Sequence, residues 1–182
     1  ASTWIVERYP EAVFVFPTVS YLEDTVARKT AGWPGRSIVV VTVEDKYDAF
    51  AASNAAMAAS GTVSLELAMA RVPHVIAYRM NALTVTLVKM LHGVNQKFAN
   101  LLNILLDREV VPEFIQEKCT ADRVAGGVID LLEEGETLDR QRASIEQALD
   151  ALRPPKGTPS GAAADLVMSV LRGNGRKEEP AS

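Results

Sequence analysis

The residues best suited to chemistry lie in one short segment, Ala58-Ala59-Ser60-Gly61-Thr62-Val63-Ser64-Leu65-Glu66-Leu67-Ala68. A strand is expected to end at Ser60, Gly61 supplies a turn free of any Cβ, and a helix is expected from Thr62. The unpaired N–H groups of a helix start attract anions such as a pyrophosphate, and the hydroxyls of Ser60 and Thr62 add donors beside them. Glu66 lies about one turn into the helix. A carboxylate there can accept hydrogen bonds from both hydroxyls of a ribose, each charge-assisted bond contributing roughly 1.5–3 kcal/mol. A plain alternative stands beside this: a capped helix with an exposed glutamate. A capping box is not its form, because the residue three after Thr62 is Leu65 and Glu66 comes fourth. Spacing by itself leaves both readings open.

The elements around this turn read as alternating strands and helices. Trp4 to Arg8 reads as the end of a helix stopped by Pro10, and Ala12 to Phe16 as a buried strand closed by Pro17. Ser20 to Lys29 is helix-compatible, Ile38 to Val43 is the strongest strand signal, and Tyr47 to Ala52 is a short helix. Ala55 to Ala59, Thr62 to Ala70, Val75 to Tyr78 and Leu83 to Leu91 then read as strand, helix, strand and helix. Such alternation predicts a Rossmann-like doubly wound parallel sheet, an α/β fold whose ligands sit at the carboxyl ends of its strands. Four strands are legible, and further ones are expected before Ala1. Residues 95–116 mix polar and short apolar elements. Ala121 to Glu133 is a helix with Thr120 as its N-cap, Glu136 to Leu152 a polar helix, and Ala162 to Leu171 a last one. The expected division is a nucleotide-sugar-binding domain over 1–135, incomplete at its N-terminus, C-terminal helices over 136–172, and a disordered tail over 173–182.

Composition narrows the classes. The chain has 182 residues, 48% hydrophobic and 23% charged, with a formal net charge of −4. That suits a globular domain and lacks the basic footprint of a nucleic-acid binder. The single cysteine, Cys119, forms no internal disulfide and fits a reducing compartment. No apolar run approaches the roughly 20 residues of a membrane span, and no secretory leader is visible. The first residue is not Met, which reads as a processed or cut piece.

Several blocks, in order and spacing, resemble the lipid-A-disaccharide synthase family. They are Ala59 to Ala68, then Val72-Pro73, then Ala77-Tyr78-Arg79-Met80-Asn81, and then Asn100-Leu101-Leu102-Asn103-Ile104-Leu105-Leu106-Asp107-Arg108-Glu109-Val110-Val111-Pro112-Glu113-Phe114-Ile115-Gln116. Lys46-Tyr47-Asp48-Ala49 fits as well. The resemblance implies a GT-B fold of two Rossmann-like domains, of which this chain would be the C-terminal, donor-binding one with extra C-terminal helices. It implies an inverting transfer of 2,3-diacylglucosamine from UDP-2,3-diacylglucosamine to 2,3-diacylglucosamine 1-phosphate. It implies no metal or redox cofactor, and a cytoplasmic enzyme peripheral on the inner face of a Gram-negative inner membrane.

Carried onto this sequence, the resemblance gives Ser60, Gly61 and Thr62 to the diphosphate and Glu66 to the ribose. Asn103 would touch donor sugar or phosphate, and Arg79, just past a strand end, would meet phosphate. Arg108, Glu109, Glu113 and Gln116 belong to the matching block without individual roles; an ion pair of Arg108 with Glu109 is the structural alternative. Arg71 departs from the family's Gly at a helix end. His74 reads as scaffold, and His92 as a helix-end complement to the dipole. No catalytic residue is expected in this chain. The family's acceptor-side domain, with its general base, and the Gly-Ser-Arg phosphate loop are not in these residues, so the chain by itself is expected to be inactive.

Residues 87–98 mix apolar and basic groups that suit either a membrane surface or a core-facing helix. An apolar last helix would suit a homodimer. The competing readings are another UDP-sugar transferase of the same fold, such as the peptidoglycan N-acetylglucosaminyltransferase, and a non-catalytic truncated binding module. A dinucleotide oxidoreductase is disfavoured because no Gly-x-Gly-x-x-Gly turn follows a strand.

Overall fold

A computed structural model of the chain describes residues 1–59, 61–79, 97–154 and 157–172. Residues 1–148 form one compact unit and 149–182 a second. The expected helix over 83–91, His92, Ser60 and the tail over 173–182 lie outside the described residues.

The first unit opens with α1 (Ser2–Arg8), β1 (Val13–Pro17), a 3-10 turn at Ser20–Leu22 and α2 (Glu23–Thr30). Next come β2 (Arg36–Val40), α3 (Val43–Ala52), β3 (Ala56–Ala58), α4 (Thr62–Met69) and β4 (His74–Tyr78). They are followed by α5 (Leu101–Leu106), β5 (Glu113–Ile115), a second 3-10 turn at Gln116–Lys118, α6 (Ala121–Leu132) and α7 (Glu136–Leu152), which runs into the second unit. All pairings are parallel: β1 with β2, and β3 with β4 with β5. This is the α/β, parallel-sheet architecture that the alternation predicts.

Three details differ from the sequence reading. The apolar run from Ile38 yields to helix before Val43, because the Thr42 hydroxyl accepts the Asp45 amide at 3.0 Å and caps α3. β5 is a strand the sequence does not reveal; three residues carry too little periodicity, and its evidence is pairing, with Ile76 opposite Glu113 and Tyr78 opposite Ile115. Thr120 sits at the N-cap of α6 without capping it. Its hydroxyl serves the Asp122 carboxylate instead, which holds that acid below the usual range.

Alternate residues of β4 face different layers. Val75 joins Ile5 of α1 and Val124, Ala125, Val128 and Leu131 of α6 in one cluster, with Phe14, Ala77 and Phe114 against it. Gly127 lets α6 approach β5: a Cβ there would meet the Phe114 ring at 2.7 Å. Phe50, Leu67 and Val72 form a separate cluster with Ala56 and Ala58. Thus β1 shares a core with β4, yet among the described residues β1 ladders only with β2, and β3 only with β4.

Polar groups fix the three-stranded sheet from inside. The Gln141 amide of α7 clamps the His74 backbone, accepting its N–H at 2.8 Å and donating to its carbonyl at 3.0 Å, and also reaches the Val110 carbonyl at 3.2 Å. His74 is fully buried. Its Nδ1 lies 2.9 Å from the Val72 carbonyl, which can only accept, so Nδ1 carries the proton. Nε2 then accepts from Ser64 Oγ at 2.8 Å, and Ser64 Oγ accepts from Asn100 Nδ2 at 2.5 Å. Asn100 Oδ1 caps α5 by accepting the Leu102 amide at 2.8 Å. Asn103 fills all four of its hydrogen-bonding positions. Its Oδ1 accepts the Val110 and Val111 amides, and its Nδ2 donates to the Val111 carbonyl and to Glu113 Oε1, each at 2.8 Å.

The second unit contains α8 (Pro159–Leu171), capped by the Thr158 hydroxyl on the Gly161 amide at 3.1 Å. It has no buried residue, and Leu166, Val167, Met168, Val170 and Leu171 are exposed. No helix among the described residues is long and apolar enough to cross a membrane.

Two outcomes follow from the network. Asn103→Leu leaves two amides, a carbonyl and a carboxylate oxygen without their partner, and is expected to cost about 3–5 kcal/mol in urea unfolding; a loss below about 1 kcal/mol would mean that water takes its place. Burial, only partly offset by the bond to Val72, holds the His74 imidazole below its usual range, so it is neutral when folded and takes up a proton on unfolding. Its contribution is therefore complete above the unfolded value of about 6.5 and is lost as pH falls below it, at up to about 1.4 kcal/mol per pH unit. Urea titrations at pH 7.5 and 5.5 should show that loss in the wild type and less of it in His74→Gln; equal slopes would assign the pH dependence elsewhere.

Candidate functional site

Parallel pairing brings the ends of β3, β4 and β5 to one edge. Ala58 pairs with Ile76 and Tyr78 with Ile115, so the residues that leave these strands, Gly61-Thr62, Arg79 and Gln116, share that edge. Gly61 is the N-cap of α4 with φ +132, a conformation that favours glycine, and a Cβ there would meet only open space. Among the described residues no side chain caps α4, and of its first amides Ser64 turns back to the Gly61 carbonyl at 3.3 Å, which leaves the opening of the helix to another acceptor. Thr62 opens the helix. Arg79 is exposed just past β4.

Glu66 does not stand alone on α4. Lys46 of α3 donates to both its carboxylate oxygens, at 3.2 and 3.1 Å, with both side chains about a third exposed or less. The hydrogen bond to Glu66 is the main reason the Lys46 ammonium lies above its usual range. The same ammonium sits 4.6 Å from the centre of the Tyr47 ring and 6.0 Å from that of Phe50. The aromatic rings and the carboxylate together fix the cation. Each carboxylate oxygen has further lone-pair positions, so Glu66 can still accept from hydroxyl groups.

The remaining block residues divide by location. Asn103 is fully buried and bonded to the connection into β5, not open to a ligand. Glu113 accepts from the Ala99 and Asn100 amides, at 2.9 and 2.8 Å, and from Asn103, so it fixes the start of α5. Glu109 accepts the Glu113 amide at 3.3 Å. Arg108 donates to Gln147 of α7 at 2.8 Å, not to Glu109, so the ion-pair alternative does not describe it. Arg108, Glu109 and Glu113 lie where the chain enters β5, whereas Gln116 lies where it leaves. Lys97, Phe98, Glu109, Glu113, Ile115, Glu117 and Lys118 line a surface cavity of about 240 Å³.

Arg71 takes φ +60 at the end of α4, the left-handed position suited to glycine, and forms a two-point ion pair with Glu146, its Nε 2.5 Å from Oε1. Sequence reasoning missed Lys46 as the partner of Glu66. Twenty residues and one strand–helix step separate them, and only the packing of α3 beside α4 unites them. It also missed Ser64, Asn100 and Gln141, whose polar types read as surface until their burial is known.

Comparison with known proteins identifies the class. The family described as lipid-A-disaccharide synthetase matches residues 4–166. A lipid-A-disaccharide synthase of Rhodospirillum centenum is 43% identical over 167 residues, covering 92% of this chain and 41% of the relative. Those of Gluconobacter oxydans and Paramagnetospirillum magneticum are 38% and 40% identical, over 90% and 92% of this chain and 39% and 43% of their own length. The chain therefore spans about two fifths of the length of these relatives. With its blocks in the family's order on a parallel α/β frame, the chain belongs to the lipid-A-disaccharide synthetase family.

Proposed function

We propose that this chain is the UDP-sugar-binding half of a lipid-A-disaccharide synthase, an inverting glycosyltransferase. The whole protein would transfer 2,3-diacylglucosamine from UDP to 2,3-diacylglucosamine 1-phosphate, at the inner face of the bacterial inner membrane. The observation that carries this reading is the uncapped start of α4 at the end of β3, with Glu66 one turn further along. Helix amides attract a diphosphate, and a carboxylate one turn beyond can accept both ribose hydroxyls. Lys46 fixes that carboxylate in direction.

In such a transfer the acceptor hydroxyl attacks the anomeric carbon and UDP departs. The work of this half is to hold UDP and to stabilise the charge that develops on the leaving diphosphate. Gly61 and Thr62, with Ser60, are assigned to the diphosphate, Glu66 to the ribose, and Arg79 and Gln116 to the same edge. Asn103, Arg108, Glu109 and Glu113 act through position, holding α5 and β5 in register. The base that takes the acceptor proton is assigned to polypeptide outside these residues, and the chain by itself is expected to be inactive. A further strand from polypeptide outside these residues, with the turn that follows it, would complete the phosphate site. The exposed apolar residues of α8 support a self-associating C-terminal segment.

Calorimetric titration tests the nucleotide site directly. UDP is expected to bind in preference to ADP, and Glu66→Ala to weaken UDP by roughly 10- to 150-fold, the worth of charge-assisted hydrogen bonds. UDP binding that Glu66→Ala leaves unchanged would remove the ribose assignment.

A further inference from the structure

One residue on the carboxyl edge of the three-stranded sheet is unfavourable in both its backbone and its side chain. Gln116 directly follows β5, whose last residue pairs with Tyr78, so Gln116 and Arg79 are neighbours on that edge. Its φ is +53, a left-handed conformation that residues with a Cβ adopt reluctantly. Its side-chain Nε2 is buried and has no hydrogen-bond partner among the described residues. The great majority of buried amides are paired, so an orphan of this kind calls for a reason. Glycine would relieve the backbone, and an apolar side chain would relieve the burial. Both unfavourable features coincide on the edge where open α/β sheets take their ligands.

We propose that Gln116 is a specificity-determining residue of the donor site, whose Nε2 donates to an oxygen of the bound sugar nucleotide. The inference rests on the reading of this edge as a UDP-sugar site. Burial has already removed the water that would compete for the amide. An oxygen acceptor arriving with the ligand completes the missing bond. A ligand that lacks this oxygen leaves the donor orphaned, and discrimination follows from that difference.

The experiment is calorimetric titration of the protein with UDP and with UDP-N-acetylglucosamine, paired with thermal unfolding of the same samples. Gln116→Met keeps length and volume but removes the donor, and Gln116→Gly also removes the backbone strain. Both variants are expected to lose about tenfold in affinity. The loss appears with both ligands if the acceptor is on the nucleotide, and with UDP-N-acetylglucosamine alone if it is on the sugar. The Met variant should keep its Tm, and the Gly variant should gain about 2–4 °C. Affinities within twofold of wild type for both ligands would overturn the inference, as would a Tm that falls together with affinity, the mark of a structural role. A wild type that binds neither ligand would instead sink the donor-site reading, and this inference with it.

Discussion

β4 is held by polar groups that have no alternative partner, and the rest of the site depends on that. A buried peptide N–H or carbonyl must be paired, and one side chain, Gln141, pairs both at His74. The same amide reaches the connection into β5 through Val110. Helix, central strand and next strand are thereby tied at a single residue. Asn103 repeats the device one step further along, using all four of its hydrogen-bonding positions on the segment that feeds β5. Hydrophobic burial around Val75 brings these elements together but is non-directional. The polar network adds register, which decides which residues emerge side by side at the far edge.

The two regions of this sheet differ in how fully they are satisfied. In the network each donor has an acceptor, and the direction of every bond from Asn100 through Ser64 to His74 follows from the Val72 carbonyl. At the carboxyl edge stand an uncapped helix start, an exposed arginine and a strained glutamine with an orphan amide. Strain persists only where the surroundings over-determine it. The tightly bonded interior explains how Gln116 can keep an unfavourable φ without slipping into a relaxed turn.

Much of the fold was legible because its signals are local. The Gly61-Thr62 turn and the apolar runs at β1, β2 and β4 are written in consecutive residues. What escaped was non-local. β5 has three residues and exists by virtue of its pairing with β4. The end of β2 was set by Thr42, whose hydroxyl competes with strand extension once α3 forms. The Lys46–Glu66 pair required α3 and α4 to lie side by side. Gln141 read as one polar residue on a polar helix, and nothing in its neighbours announced that it would be buried.

The same limit applies to the matching block from Asn100 to Gln116. Matching types in order identify a family, but they do not separate residues that meet a ligand from residues that hold those in place. Geometry makes that separation. Asn103, carried over as a ligand contact, has no unused donor or acceptor and no exposed surface. Glu113 is occupied by two backbone amides and by Asn103. Gln116, at the end of the same block, has a buried donor with no partner among the described residues. A buried group that is already satisfied gains little from a ligand, whereas an unsatisfied one gains a full hydrogen bond when an acceptor arrives. On that physical ground Asn103 and Glu113 are a frame that fixes β5, and Gln116, at the end of that strand, is the member of the block proposed to make a contact.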